Sequence, residues 1–227
     1  MNGTGRSRLR SRGRAAAALA VVAVALAACG GGDSGDDVTA ATPSTLPPCS
    51  EERHVVAFDF FGTISLADAD VAAWVGEEAT PPPARPGVPD VAAAYRARGY
   101  EILYITTVPT GVTAGGVPIG DAVTGWLTEN GFPTGPGTAV WVWDGNYTPM
   151  EGIANELERL AAEGATVDAA YTDNEDKAFA FKTAVPSEEV HTLGTGAAAT
   201  GTAPVPGDDM VTHAAEVAQR PAACRAA

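Results

Sequence analysis

Between residues 54 and 193 the chain alternates short apolar, β-branched runs with amphipathic stretches that end at glycine. His54-Val55-Val56-Ala57-Phe58-Asp59 lacks polar alternation, as expected of a strand covered on both faces, and Gly62-Thr63 just after it predicts a sharp turn. Pro81-Pro82-Pro83-Ala84-Arg85-Pro86-Gly87 predicts a rigid loop. Pro89-Asp90 opens a helix over 91–98, and Gly99 stops it. The same signals predict strands at 100–106, 139–143, 167–171 and 189–193. They predict helices at about 121–130, 149–163 and 175–183. Residues 194–207 are a Gly/Ala/Thr/Pro spacer before a last helix at about 208–219. Strand and helix in strict alternation imply βαβ units. The expected fold class is α/β: a three-layer α/β/α sandwich around a mainly parallel, Rossmann-like sheet.

The amino-terminal end follows a different pattern. Arg6, Arg8, Arg10, Arg12 and Arg14 precede an apolar run over 15–26 and then Ala27-Ala28-Cys29-Gly30. A charged region, a short apolar region and a small-residue cleavage site predict an export signal over residues 1–28. The run is too short for a permanent membrane span. Leu26-Ala27-Ala28-Cys29 resembles a bacterial lipobox, which implies lipidation at Cys29 and a membrane anchor on the extracytoplasmic side. A plain secretory signal is the alternative. Residues 29–48 are Gly, Asp, Ser, Thr and Pro, a composition that predicts a flexible tether. Residues 49–227 then form one domain, with its core at about 54–193 and an extension over 194–227.

Cys49 and Cys224 bracket that domain. In an oxidising compartment an even pair favours a disulfide, with two separate thiols as the alternative. The chain carries 14 basic and 28 acidic residues, and five of the basic ones lie in the leader. Beyond residue 28, nine basic residues face 28 acidic ones, a net charge near −19. Such a surface repels polyanions, so no nucleic-acid partner is expected.

The candidate chemistry sits at strand ends. Asp59 closes the first strand, and open α/β sheets place ligands beyond the carboxyl ends of their strands. Asp59-Phe60-Phe61-Gly62-Thr63 resembles the first motif of the haloacid-dehalogenase-like (HAD) hydrolases, Asp-x-Asp-Gly-Thr. There the first Asp is the nucleophile and the second the general acid/base. Phe61 stands at the second place and carries no proton to give or take. Thr106, in Ile105-Thr106-Thr107-Val108-Pro109, matches the family's hydroxyl donor to the phosphoryl group; a strand-end hydroxyl capping a loop is the alternative. Val108 falls where lipin-like members carry an Arg. Tyr171-Thr172-Asp173-Asn174-Glu175-Asp176 resembles the acidic motif. The implied Mg²⁺ ligands are therefore Asp59, Asp173 and Asp176, and a helix cap is the alternative use of that cluster.

The family's cation is expected near the start of the helix after the third strand. Ile153 occupies that place, and Arg159, further along, is expected to face solvent. Pro86-Gly87-Val88-Pro89 leads straight into the next helix, so the resemblance is closest to the lipin-like phosphatidate phosphatase branch with a minimal cap. Asp-x-Phe-Gly-Thr is also the form in 2-haloacid dehalogenases, but those insert a large helical cap for which residues 64–105 are too few. The resemblance implies an exported, lipid-anchored phosphatase-type domain acting on a small phosphorylated substrate, with catalysis weakened at Phe61 and Ile153. A non-catalytic surface binding or scaffold protein is the alternative.

Overall fold

The computed structural model describes residues 51–66, 73–75, 80–194 and 201–224, all within the unit Pro43–Ala227. The leader, the tether, Cys29 and Cys49 lie outside the described residues.

The strands β1 (Arg53–Asp59), β2 (Glu101–Thr106), β5 (Thr138–Val142), β6 (Ala165–Thr172), β7 (Val190–Thr192) and β8 (Ala203–Pro204) form one sheet in the order β5-β2-β1-β6-β7-β8. Every pairing in it is parallel. A small antiparallel hairpin, β3 (Thr113–Ala114) with β4 (Val117–Pro118), interrupts the connection after β2. The helices are α1 (Val88–Arg96), α2 (Ile119–Glu129), α3 (Pro149–Ala162), α4 (Glu175–Phe181) and α5 (Met210–Val217). The expected α/β architecture is the one observed.

Two elements go beyond the sequence reading. Part of the 194–207 spacer forms β8, which extends the sheet beside β7. The Gly/Pro/Thr-rich loop after β2 contains the β3–β4 hairpin. All three strands are two residues long, too short to show a period of two.

The sheet parity of β1 organises the core. Val56 and Phe58 face one layer with Val91 and Tyr95 of α1, Trp126 and Leu127 of α2, and Val217 of α5. Val55 and Ala57 face the other, with Ile153, Leu157 and Leu160 of α3 and Ala178 and Phe181 of α4. Burying each such aliphatic or aromatic side chain contributes about 1.5–3 kcal/mol. Two covered faces explain why β1 reads as a continuous apolar run. They also aim Asp59, next in the parity of Val55 and Ala57, toward the layer that holds α4.

Candidate active site at the carboxyl edge of the sheet

Register brings three strand ends together. Asp59 of β1 pairs with Ile105, one residue before Thr106. On its other side Phe58 pairs with Tyr171, one residue before Thr172. Asp59, Thr106 and Thr172 are fully buried, and Asp173 just beyond is partly exposed.

A tight turn over Phe60–Ile64 follows Asp59. It closes through the Ser65 N–H, which donates to the Phe60 carbonyl at 3.0 Å, and the Ser65 hydroxyl, which donates to the same oxygen at 3.1 Å. Gly62 adopts φ +79°, the left-handed region open to glycine. A Cβ there would lie 1.9 Å from Asp173 Oδ2, so the missing side chain is the space the Asp173 carboxylate occupies. Arg85 clamps the turn from outside: its Nε donates to the Thr63 carbonyl at 2.9 Å and its Nη2 to the Gly62 carbonyl at 2.5 Å.

The turn sends both phenylalanines into the core. Phe60 packs edge-on against Trp126 at 4.8 Å and stacks near Trp74 at 5.6 Å. Phe61, buried like its neighbour, meets Phe60 at 4.7 Å and Trp74 at 6.2 Å. The residue at the general-acid position is thus part of an aromatic cluster.

The expectation of a missing cation needs correcting. Lys177 Nζ donates to Asp59 Oδ2 at 2.8 Å and to Oδ1 at 2.9 Å, and the Lys177 side chain is 9% exposed. Its position follows from the start of α4. The Thr172 hydroxyl accepts from the Asn174 N–H at 3.2 Å, and the Asn174 side chain caps the helix by accepting from the Lys177 N–H at 3.0 Å. The buried residues of α4 are Lys177, Ala178, Ala180 and Phe181, and Lys177 is the one in its first turn. Lys177 therefore lies four residues after Asp173 instead of in the preceding βα unit. Ile153 is fully buried among Ala57, Ile105 and Leu157, a packing position with no charge to supply. Arg159 is half-exposed and pairs with Glu156 and Glu163, as expected of a solvent-facing residue.

The hydroxyls complete the surroundings of Asp59. Thr63 Oγ1 lies 3.4 Å from both Asp59 Oδ2 and Asp173 Oδ1, and Thr172 Oγ1 lies 3.4 Å from Asp59 Oδ2. Thr106 Oγ1 accepts from the Val108 N–H at 3.3 Å, so the hydroxyl also shapes the loop after β2. Burial pushes the Asp59 carboxyl up to about 6; the Lys177 ammonium opposes the rise, and the Asp173 charge adds to it.

The site offers hard oxygen donors to a divalent cation. Asp59 and Asp173 share the Thr63 hydroxyl, and the Asp173 carboxylate sits in the space left by Gly62. Two carboxylates with substrate oxygens and water suit Mg²⁺. Asp176 and Glu175 are exposed in the first turn of α4. Among the described residues no group of three or more acidic, His or Cys side chains is placed to hold a metal. Two cavities of about 250 and 460 Å³ lie toward the amino-terminal ends of the strands, beside Arg53 and Glu101 and beside Thr166 and Asp168. Cys224 is buried, with Sγ 3.4 Å from the Gly99 carbonyl oxygen.

Comparison with known proteins agrees with this geometry. The family model described as PITM 1-3, LNS2 domain, matches residues 56–194. Among solved structures the chain is similar to the D,D-heptose 1,7-bisphosphate phosphatase of B. bronchiseptica, complexed with magnesium and phosphate. The identity is 15% and the TM-score 0.50, with 73% of this chain and 98% of that chain covered. At that identity the likeness concerns the fold. No curated protein matches. The family match runs from β1 through β7 and takes in Asp59, Thr106, Asp173 and Lys177, so the chain belongs to the LNS2-domain family, with a HAD-like fold.

Proposed function

We propose that this chain is an exported, lipid-anchored domain that binds small phosphomonoesters at Asp59 and hydrolyses them slowly. The observation that carries the reading is the contact of Lys177 Nζ with both Asp59 oxygens inside a buried strand-end site. Phosphoryl transfer depends chiefly on positioning and charge neutralisation, and this chain supplies a carboxylate, a cation and hydroxyls for both. Asp59 attacks phosphorus; Lys177 neutralises the nucleophile and the incoming oxygens; Thr106 and Thr63 donate hydrogen bonds to those oxygens. Asp59 and Asp173 would hold Mg²⁺, which would add charge neutralisation at the phosphoryl oxygens. Phe61 has no proton to deliver to the leaving oxygen, a loss of about 10²–10⁴-fold.

The test is a Mg²⁺ titration with p-nitrophenyl phosphate, comparing wild type with Asp59→Asn. The expected result is Asp59-dependent, Mg²⁺-dependent turnover below the ordinary enzymatic range of ~1–10³ s⁻¹. Faster turnover would mean that another group supplies the acid. Turnover that Asp59→Asn leaves unchanged would remove Asp59 as nucleophile. The non-catalytic binding reading is favoured by one observation, the use of Phe61 as an aromatic packing residue. Phosphate binding without any Asp59-dependent turnover would select it.

Export and anchoring rest on the leader and on Leu26-Ala27-Ala28-Cys29. Cys29→Ser should release the protein from membranes, and retention would refute lipidation as the anchor. A Cys49–Cys224 disulfide is proposed from the position of the two cysteines at the ends of an exported domain. Alkylation of both residues without reductant would reject it. No nucleic-acid partner is proposed, on the strength of the net charge.

A further inference from the structure

We propose that His191 is an acid-operated latch on the C-terminal extension: when its ring takes up a proton, β8 and α5 come away from the rest of the domain. The latch lies in the layer opposite Asp59 and stands whether or not Asp59 reacts.

Its core is a stack of rings across three parallel strands. On the face that carries Val56 and Phe58, the Tyr171 ring of β6 lies between Phe58 of β1 and His191 of β7. The ring centroids are 4.7 Å apart on both sides, and the planes are inclined by 6° and 24°. The extension closes over this stack. His213 of α5 lies 5.0 Å from the His191 ring, and its Nε2 is 2.8 Å from Tyr171 Oη. Tyr171 Oη is in turn 3.0 Å from Tyr95 Oη of α1. All four of these side chains are buried. The docking of α5 is close: a Cβ on Gly87, just before α1, would meet the Val211 backbone nitrogen at 2.7 Å.

In their neutral forms these groups satisfy one another. His213 Nδ1 donates to Glu216 Oε2 at 3.1 Å, which leaves Nε2 to accept from Tyr171, and Tyr171 then accepts from Tyr95. The His191 ring bonds the backbone of Ala203, its register partner on β8. Its Nε2 has no hydrogen-bond partner among the described residues. As a lone pair that nitrogen leaves one acceptor unmet; as an N–H on a charged ring it becomes a buried cation.

The proton forces a choice. Glu189 Oε2 lies 3.4 Å from His191 Nε2, outside hydrogen-bonding geometry, and it already accepts from Arg220 Nη2 at 2.7 Å. Arg220 follows α5 and sits over the Tyr95 ring at 5.8 Å. A protonated His191 either stands unpaired beside His213 and the Arg220 cation or draws Glu189 away from Arg220. The first weakens the contact with β8 and α5; the second frees the chain just after α5. The groups facing the ring are thus Glu189 before β7, Tyr171 of β6, His213 and Glu216 of α5, and Arg220. Residues 195–200, between β7 and β8, are Thr, Gly and Ala and bring no titratable side chain.

Burial, His213 and Arg220 push the His191 ring down to about 3 from its ordinary 6.5. A depressed folded value means that closure is fully stabilised above pH 6.5 and loses that stability as pH falls toward 3. Opening restores the ordinary value, so the open fraction should rise about 30-fold between pH 7.5 and 5. That factor is governed by the open-state value, because the closed one lies well below 5.

The experiment follows hydrogen–deuterium exchange of the full chain by mass spectrometry at pH 7.5, 6.5, 5.5 and 5, with rates corrected for the intrinsic pH dependence of exchange. The expected result is that rise in peptides covering 203–224, reversed on return to pH 7.5, with no matching rise in β2 and α3. His191→Phe keeps a ring against Tyr171 and should abolish the rise. His54→Gln, at the histidine paired with Asp168 near the start of β1, should keep it. Circular dichroism reports whether each variant folds, and an imidazole NMR titration of the wild type decides without a variant: the His191 ring should stay neutral for as long as the extension stays protected. A rise shared equally by β2 and α3 means acid unfolding of the whole domain and overturns the latch. So does an extension still protected at pH 5, a response that survives in His191→Phe, a response lost in His54→Gln, or a His191 ring that protonates while the extension stays closed.

Discussion

Replacing Lys177 by Met should destabilise the protein by an amount that grows with pH, because the penalty is carried by the ionisation of Asp59. In the wild type the Asp59 carboxyl ionises at about 6 against 3.8 as its ordinary value, with Lys177 holding it down against burial. A folded-state pKa above the unfolded one gives stability that is complete below the unfolded value and is lost as pH rises through the folded value. The wild type therefore loses stability between about pH 4 and 6 through this group. Without Lys177 the folded pKa moves further up, and the loss continues past pH 6. The extra cost through Asp59 is near zero at pH 5 and grows above pH 6 by at most about 1.36 kcal/mol per pH unit, until the pH passes the variant's own folded value. Urea denaturation at pH 5, 7 and 8, in EDTA, measures the difference between Lys177→Met and wild type. In an Asp59→Asn background the same substitution should show no such slope. Asp59→Asn by itself should cost about 3 kcal/mol, the low end for leaving a buried charge unpaired, since Lys177 retains a little solvent access. The double variant should recover most of that. A Lys177→Met penalty that does not change with pH, or a slope that persists with Asn at 59, would refute the pairing as the source.

Gly62→Ala should cost about 2 kcal/mol or more, from a left-handed φ and from a Cβ that displaces the Asp173 carboxylate; a loss under about 0.5 kcal/mol in urea denaturation would mean the turn relaxes. Phe61→Asp should destabilise by at least about 3 kcal/mol, the usual cost of removing a buried ring, before the desolvation of the new carboxyl is counted. A Phe61→Asp protein as stable as wild type would show that the aromatic cluster does not depend on this ring. Arg85→Gln should cost about 1.5–3 kcal/mol by removing charged donors from the Gly62 and Thr63 carbonyls, and it should weaken phosphate binding measured by calorimetry. Unchanged phosphate affinity would separate the clamp from the site.

Local pattern in the sequence determined most of the scaffold and half of the site. A continuous apolar run marks a strand covered on both faces, and glycine after an amphipathic stretch marks a helix end, so the βαβ alternation was legible residue by residue. Asp59, Thr106 and Asp173 were legible because each sits at the end of a strand whose limits the pattern predicts, and the parallel register then aligns those ends. The role of Lys177 was not legible there. Periodicity says how a side chain points relative to its own backbone, whereas Lys177 meets Asp59 only because β6 pairs with β1 and the capped first turn of α4 leans on the same layer as Ala57. Ile153 supplies no charge, as its sequence implies, and its helix packs it beside Leu157 and Ile105; what the chain order could not show is that the cation reaches Asp59 from another element. The aromatic cluster around Phe61 and the two-residue strand β8 join segments far apart in sequence or too short to carry a period. Contacts of that kind are decided by how the layers dock, and only the tertiary structure contains them.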